Sequence, residues 1–181
     1  MTVETVNNLL GPLVVVAEVI TAILLFSLIS KKEKQAKRIL TFFSPKALQL
    51  SFLVALTSML GSLYYSEIAG YEPCKLCWYQ RILMYPLVLL LGFAHLKKRK
   101  DVVDYALLMS LIGSVLAGYH YLLQIGVAPS LGCEAIGYSI SCSKQFVLQY
   151  GYISIPLMAF SAFAFISTLL IVNKIISGIR K

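Results

Sequence analysis

The chain alternates long apolar runs with short polar interruptions, and the interruptions are of two alternating kinds. Five runs are long enough to cross about 30 Å of hydrocarbon as helices rising about 1.5 Å per residue. They cover residues 9–30, 47–65, 78–96, 102–125 and 152–172. The first, third and fifth runs are followed by bases, whereas the second and fourth are followed by cysteine-bearing loops. This pattern predicts an all-α membrane protein.

Composition agrees. Of 181 residues, 59% are hydrophobic and 13% charged, with a mean hydropathy of +0.80, whereas soluble domains average about 25% charged residues. A net charge of +8 raises nucleic acid as a partner. The bases, however, sit in clusters at the ends of apolar runs and form no extended soluble face to contact phosphates, so no nucleic-acid partner is expected. Lys31, Lys32, Lys34, Lys37, Arg38, Lys46, Lys97, Lys98, Arg99, Lys100, Lys174, Arg180 and Lys181 make up 13 of the 16 Lys and Arg, and all fall on one side if every run spans. The other side keeps Lys75, Lys144 and Arg81, the last inside a helix. Cytoplasmic loops carry the excess of bases, so the N-terminus is expected outside and the C-terminus in the cytoplasm.

The first run is expected to be an uncleaved anchor. A secretory signal has bases before its apolar core, and residues 1–8 hold Glu4 and no base. No internal repeat or low-complexity segment is evident. The expected division is a leading membrane helix with a basic cytoplasmic linker over residues 1–44, then one membrane domain over 45–181.

With this topology the outer segments are residues 66–77 and 126–151, and they hold all four cysteines: Cys74 and Cys77 in the first, Cys133 and Cys142 in the second. Disulfides persist on the outer side of a cytoplasmic membrane and are rare within. Two structural staples are one reading, and four cysteines allow three connectivities. The spacing of Glu72-Pro73-Cys74-Lys75-Leu76-Cys77 favours redox chemistry for the first pair. A two-residue gap closes too small a loop to constrain the unfolded chain, but it keeps both sulfurs in reach, and the start of a following helix can lower a thiol's pKa. Trp78 is expected to begin that helix, with Cys77 at its positive end. Spacing alone does not choose between roles for Cys133 and Cys142. Zinc is the other use of a Cys-x-x-Cys pair, but structural zinc sites show a second tight ligand pair, which Cys133 and Cys142 do not form.

Ionisable groups inside the spans are functional candidates by default. Arg81 lies one helical turn deeper than Cys77 on the same face, where it either snorkels to the interface or donates to an anion or carbonyl beside the sulfur. His120 stands about 9 Å below the outer end of its helix at helical rise, a depth matching Arg81. It is either a hydrogen-bonded packing residue or a second polar contact for a quinone head. Glu18, in the leading helix, is assigned no role. Tyr64, Tyr65, Tyr71, Trp78 and Tyr79 fit an interfacial aromatic belt. Pro86 and Pro156 are expected to kink their helices, and Gly113 and Ala117 have a spacing that permits close helix contact. Residues 138–150 read as a short surface amphipathic stretch or a loop.

Cys74-Lys75-Leu76-Cys77-Trp78-Tyr79-Gln80-Arg81 resembles the Cys-x-Leu-Cys-x-Tyr-(Glu/Gln)-Arg motif of the DsbB family of disulfide-bond formation proteins. The stretch from Gly61-Ser-Leu-Tyr-Tyr-Ser-Glu to Arg81-Ile-Leu-Met-Tyr-Pro is similar to the BdbC branch, as are His120-Tyr-Leu-Leu-Gln124, Cys133, Cys142-Ser-Lys-Gln and Ile153-Ser-Ile-Pro156. The resemblance covers about residues 45–172. It implies a four-helix transmembrane bundle, to which the first run adds an N-terminal transmembrane helix. It also implies a cell-membrane thiol:quinone oxidoreductase that reoxidises an extracytoplasmic thioredoxin-like thiol oxidase (DsbA- or BdbD-like) and reduces ubiquinone or menaquinone. On matching positions it implies that Cys74 and Cys77 face the quinone, with Cys77 nearest. Cys133 and Cys142 then face the partner, with Cys133 forming the mixed disulfide. Arg81 orients the quinone, and His120 is a second contact. The leading helix departs from the four-helix pattern, and the Cys133–Cys142 interval is shorter than in the best-known proteobacterial members. Two other readings are weighed against this one: a thiol-fed quinone reductase resembling vitamin K epoxide reductase, against which the continuation Trp78-Tyr79-Gln80-Arg81 argues, and a non-enzymatic membrane scaffold or small transporter with stapled outer loops.

Overall fold

The computed structural model describes residues 2–30, 32–97, 102–129 and 141–179. Five of its helices are long and apolar enough to cross a membrane, and there is no strand among the described residues beyond an isolated bridge between Gln149 and Ile153.

The leading run forms α1 (Val3–Ile29), capped by the Thr2 hydroxyl, which accepts from Thr5 N–H, with Glu4 in the first turn. Both features favour a helix start, the first by satisfying an orphan donor and the second by complementing the positive helix end. The basic linker is not featureless: it folds as α2 (Lys34–Phe43). Ala36 and Leu40 lie one turn apart and are buried, while Lys34, Lys37 and Arg38 stay exposed. A 3-10 turn at Ser44–Lys46 leads into α3 (Ala47–Leu63), which ends in a π-helical turn at Tyr64–Ile68.

The fourth helix differs from expectation at its start. α4 (Lys75–Lys97) begins three residues before Trp78, and Cys74 is its cap: Trp78 N–H donates to the Cys74 carbonyl at 3.1 Å and Cys77 N–H to Cys74 Sγ at 3.4 Å. Pro86 stands in the interior of α4, where it removes one internal hydrogen bond. The last two helices are α5 (Val102–Gln124) and α6 (Ile155–Ile179). Pro156 does not kink α6, because it is the second residue of that helix, where no N–H is needed. Of the segment 138–150, residues 141–150 form no helix; the rest of it lies outside the described residues.

α6 is the hub. Of its most apolar stretch 67% is buried, against 17–33% for the other spans, and it packs on α5, α3, α1 and α2. The core between α3, α4, α5 and α6 is built from Ala55, Met84, Leu87, Leu91, Ala117, Phe163, Ile166 and Leu170. Gly113 and Ala117 do admit close approach. A Cβ at Gly113 would fall 2.4 Å from the Phe163 ring, and Ala117 is fully buried. Ser167 donates to Ser110 across the same seam at 2.9 Å. Outward positions such as Leu89, Leu96, Val115 and Phe26 are exposed and apolar, as lipid contact requires.

Candidate functional site

The site forms where the start of α4 meets the C-terminal end of α5 and the segment that carries Cys142. Cys74 and Cys77 are free thiols with Sγ atoms 3.3 Å apart, held there because one caps the first turn in which the other sits. Cys74 and Cys142 are both buried and share one apolar cluster with Leu76 and Leu123. Cys142 is disulfide-bonded; Cys133 lies outside the described residues.

His120 joins the two segments. It is 2% exposed, and its Nε2 lies 3.1 Å from the Cys142 carbonyl oxygen and 3.6 Å from Cys74 Sγ. A carbonyl only accepts, so Nε2 carries the hydrogen and points it between that oxygen and the sulfur. Nδ1 is left to accept from the Gln80 side-chain amide at 2.9 Å. Gln80, itself buried, thus fixes the tautomer. The thiol of Cys74, just outside the membrane-spanning part of α4, is pulled from an ordinary 9.0 down to about 4. The hydrogen bond from Cys77 is the main cause, opposed by burial and reinforced by His120.

Arg81 does not snorkel free. Its Nε donates to Ser62 Oγ at 2.9 Å and its Nη2 to the Ser62 carbonyl at 3.0 Å, and its guanidinium lies 5.3 Å from the centre of the Trp78 ring. Cys77, Arg81 and His120 all line a cavity of about 360 Å³ that continues between α1, α3 and α6. Its volume falls in the range of small-molecule sites. Its mixture of one guanidinium, two thiols and otherwise mainly apolar walls suits a lipid-soluble molecule with a polar head. Cys74, Cys77 and His120 also bring three ligand-type atoms within 4.8 Å of one another, but with Nε2 carrying its hydrogen and Nδ1 accepting from Gln80 the imidazole has no lone pair free for a metal ion.

Every candidate residue among the described ones therefore falls at one place, with His120 beside the sulfurs rather than out along the cavity. Gln80 and Ser62 appear in the sequence only as motif positions without a role of their own. A glutamine within an apolar run, three residues after Cys77, was a usable signal; Ser62 depends on the register of α3 against α4 and left none. Glu18 also gains an explanation: it accepts from Ser161 at 2.8 Å and Tyr152 at 3.2 Å, tying α1 to α6 and the segment before it.

A helical membrane protein with a dithiol of one buried and one half-buried sulfur, a capped helix and an adjoining second cysteine segment has the parts of a disulfide oxidoreductase. The family described as disulfide bond formation protein DsbB matches residues 44–173, and the chain belongs to that family. It is 47% identical over 131 residues to the probable disulfide formation protein C of Halalkalibacterium halodurans, covering 68% of this chain and 91% of that one. The disulfide bond formation protein C of Bacillus subtilis is 47% identical over 119 residues, 66% of this chain and 86% of its own length. A prophage-derived disulfide bond formation protein B of Bacillus subtilis is 42% identical over 117 residues. These relatives put the chain in the BdbC-like branch, as a membrane disulfide oxidoreductase. No solved structure matches it.

Proposed function

We propose that this oxidoreductase takes electrons from an extracytoplasmic thioredoxin-like thiol oxidase through Cys133 and Cys142, and delivers them through Cys74 and Cys77 to a membrane quinone. The observation that carries the reading is the His120 contact, which holds the Cys142 segment against Cys74. It suits an inward relay and gives no advantage to two independent staples; nor do free thiols at Cys74 and Cys77 fit a stapled scaffold.

The steps balance. A partner thiolate attacks a Cys133–Cys142 disulfide; the partner's second thiolate resolves the mixed disulfide, leaving the partner oxidised and Cys133 and Cys142 reduced. These two thiols reduce a Cys74–Cys77 disulfide by the same exchange. Cys74 suits the middle position: its stabilised thiolate is a good leaving group, and the Nε2–H of His120 faces the sulfur on which charge collects. Re-forming the Cys74–Cys77 disulfide releases two electrons and two protons, which a quinone held beside Cys77 and Arg81 would take up. Arg81, one turn below Cys77 and anchored by Ser62, offers a fixed positive charge and the remaining donors of its fork to the head group. The clusters of bases at the opposite end of the bundle orient the site outward, and the quinone is ubiquinone or menaquinone.

The test is quinone reduction by the purified full-length protein supplied with a reduced thioredoxin-fold oxidase. One quinol should appear per two thiols oxidised. Arg81→Met should slow turnover or weaken quinone affinity by about ten- to a hundredfold, the scale of a lost charge-assisted hydrogen bond, with single-turnover thiol exchange preserved. Thiol oxidation without quinol formation would sink the proposal.

A further inference from the structure

The family match begins at residue 44, so α1 lies wholly outside it. Yet α1 is not an idle anchor. Tyr65, at the outer end of α3, donates to Asn7 at 2.6 Å, and Gln149, in the segment after Cys142, donates to Asn8 at 3.2 Å. Glu18 accepts from Ser161 of α6. A polar side chain in hydrocarbon, bonded in this way, sets the rotation of the helix about its axis.

That rotation aims one face of α1 at the cavity. Leu10, Leu13, Val14, Ala17 and Ile20 all line it, at the three- and four-residue spacing of a single helix face. α1 packs along α6 and α2 but scarcely on α3, so the space between α1 and α3 is left as a slot. On the α3 side the lining runs from Ser62, beside Arg81, to Leu50, which is about 18 Å at helical rise. The slot thus starts at Cys77 and Arg81 and continues deep into the apolar layer with mainly apolar walls.

We propose that α1 is a chain-specific wall of the acceptor site, and that the Leu10–Ile20 face holds the isoprenoid chain of the quinone against α3 and α6. The inference rests on the quinone reading above and adds to it a selection for chain-bearing acceptors. Val14 and Ala17 are the specificity-determining positions, since a larger side chain at either one projects into the slot. α1 contributes no group to the thiol chemistry, so its effect is confined to binding of the acceptor's tail.

The experiment uses full-length protein and compares two acceptors, a quinone with a long isoprenoid chain and a quinone with none. Ala17→Trp should raise the apparent KM for the long-chain quinone about tenfold, the cost of excluding a few buried methylenes, while leaving kcat and the chainless quinone within about twofold. Val14→Phe should act in the same direction and serves if the tryptophan variant does not fold. Val19→Trp, on the exposed face of the same helix, should change neither acceptor. Equal KM changes for both quinones, unchanged kinetics in both cavity variants, or the same effect from Val19→Trp would overturn the role of α1. Failure of the wild-type protein to reduce either quinone would overturn the acceptor reading itself, and this inference with it.

Discussion

At the residue scale the chemistry turns on Cys74 rather than on either sulfur acting alone. It is a helix cap, a hydrogen-bond acceptor from Cys77 and a neighbour of His120, and all three stabilise its thiolate. Its folded pKa lies below its unfolded value. The thiolate therefore contributes fully to the stability of the reduced protein above about pH 9, and that contribution is lost as pH falls through about 4. Thiolate ultraviolet absorbance of the reduced protein should accordingly titrate near pH 4, and Cys77→Ala should move the midpoint back toward 9.0 by removing the main cause. A wild-type midpoint near 9.0 would contradict the arrangement. The expectation that Cys77 occupies the positive helix end comes from starting the helix at Trp78. With the start at Lys75, Cys74 takes the cap and the lowered pKa. Arg81 and His120 stood out as candidates because ionisable types are rare in apolar runs, and the cysteines because they fall only in the two segments between runs that lack clustered bases. Gln80 and Ser62 were not singled out: one is an ordinary motif polar residue, and the other acts only through tertiary register.

At the scale of elements, the spans are legible because hydrocarbon thickness imposes their length, and their ends less so. α1 and α4 start earlier than the apolar runs, as polar residues continue a helix outside the hydrocarbon once a cap such as Thr2 or Cys74 is present. α2 was hidden among lysines, although Ala36 and Leu40 carry its one-turn spacing. The seam between α5 and α6 was readable from Gly113 and Ala117, and it makes a sharp prediction. Gly113→Val drives a branched side chain into the fully buried ring of Phe163, an overpacking that costs about 1–3 kcal/mol. The variant should show a lower thermal midpoint in detergent. Gly118→Ala should not, because its Cβ would meet the Phe160 ring at an ordinary 3.4 Å. Equal midpoints for Gly113→Val and wild type would mean that the seam is looser than the structure makes it.

At the scale of the whole molecule, the fold separates two ends of opposite character. At one end Lys174 pairs with Asp104 at 2.8 Å and Asn173 donates to the Ser44 carbonyl at 2.8 Å, joining α6, α5 and the turn after α2 in the region where the bases gather. At the other, Asn7 meets Tyr65 and Gln124 donates to the Lys144 carbonyl at 3.2 Å, around the cysteines. If the basic end is cytoplasmic, the cysteines face the side where disulfides persist. The native cysteines are poor probes of this, since Cys74 is 5% and Cys142 1% exposed. Cysteines introduced at exposed positions on the two ends are better: Lys144→Cys beside the site and Lys37→Cys on α2, each in a background with the four native cysteines replaced by serine. A membrane-impermeant maleimide added to intact cells should label Lys144→Cys at once and Lys37→Cys only after permeabilisation. The reverse pattern would put the dithiol in the reducing compartment. There, cellular thiols would keep both pairs reduced, and an inward relay would have no oxidised partner to regenerate.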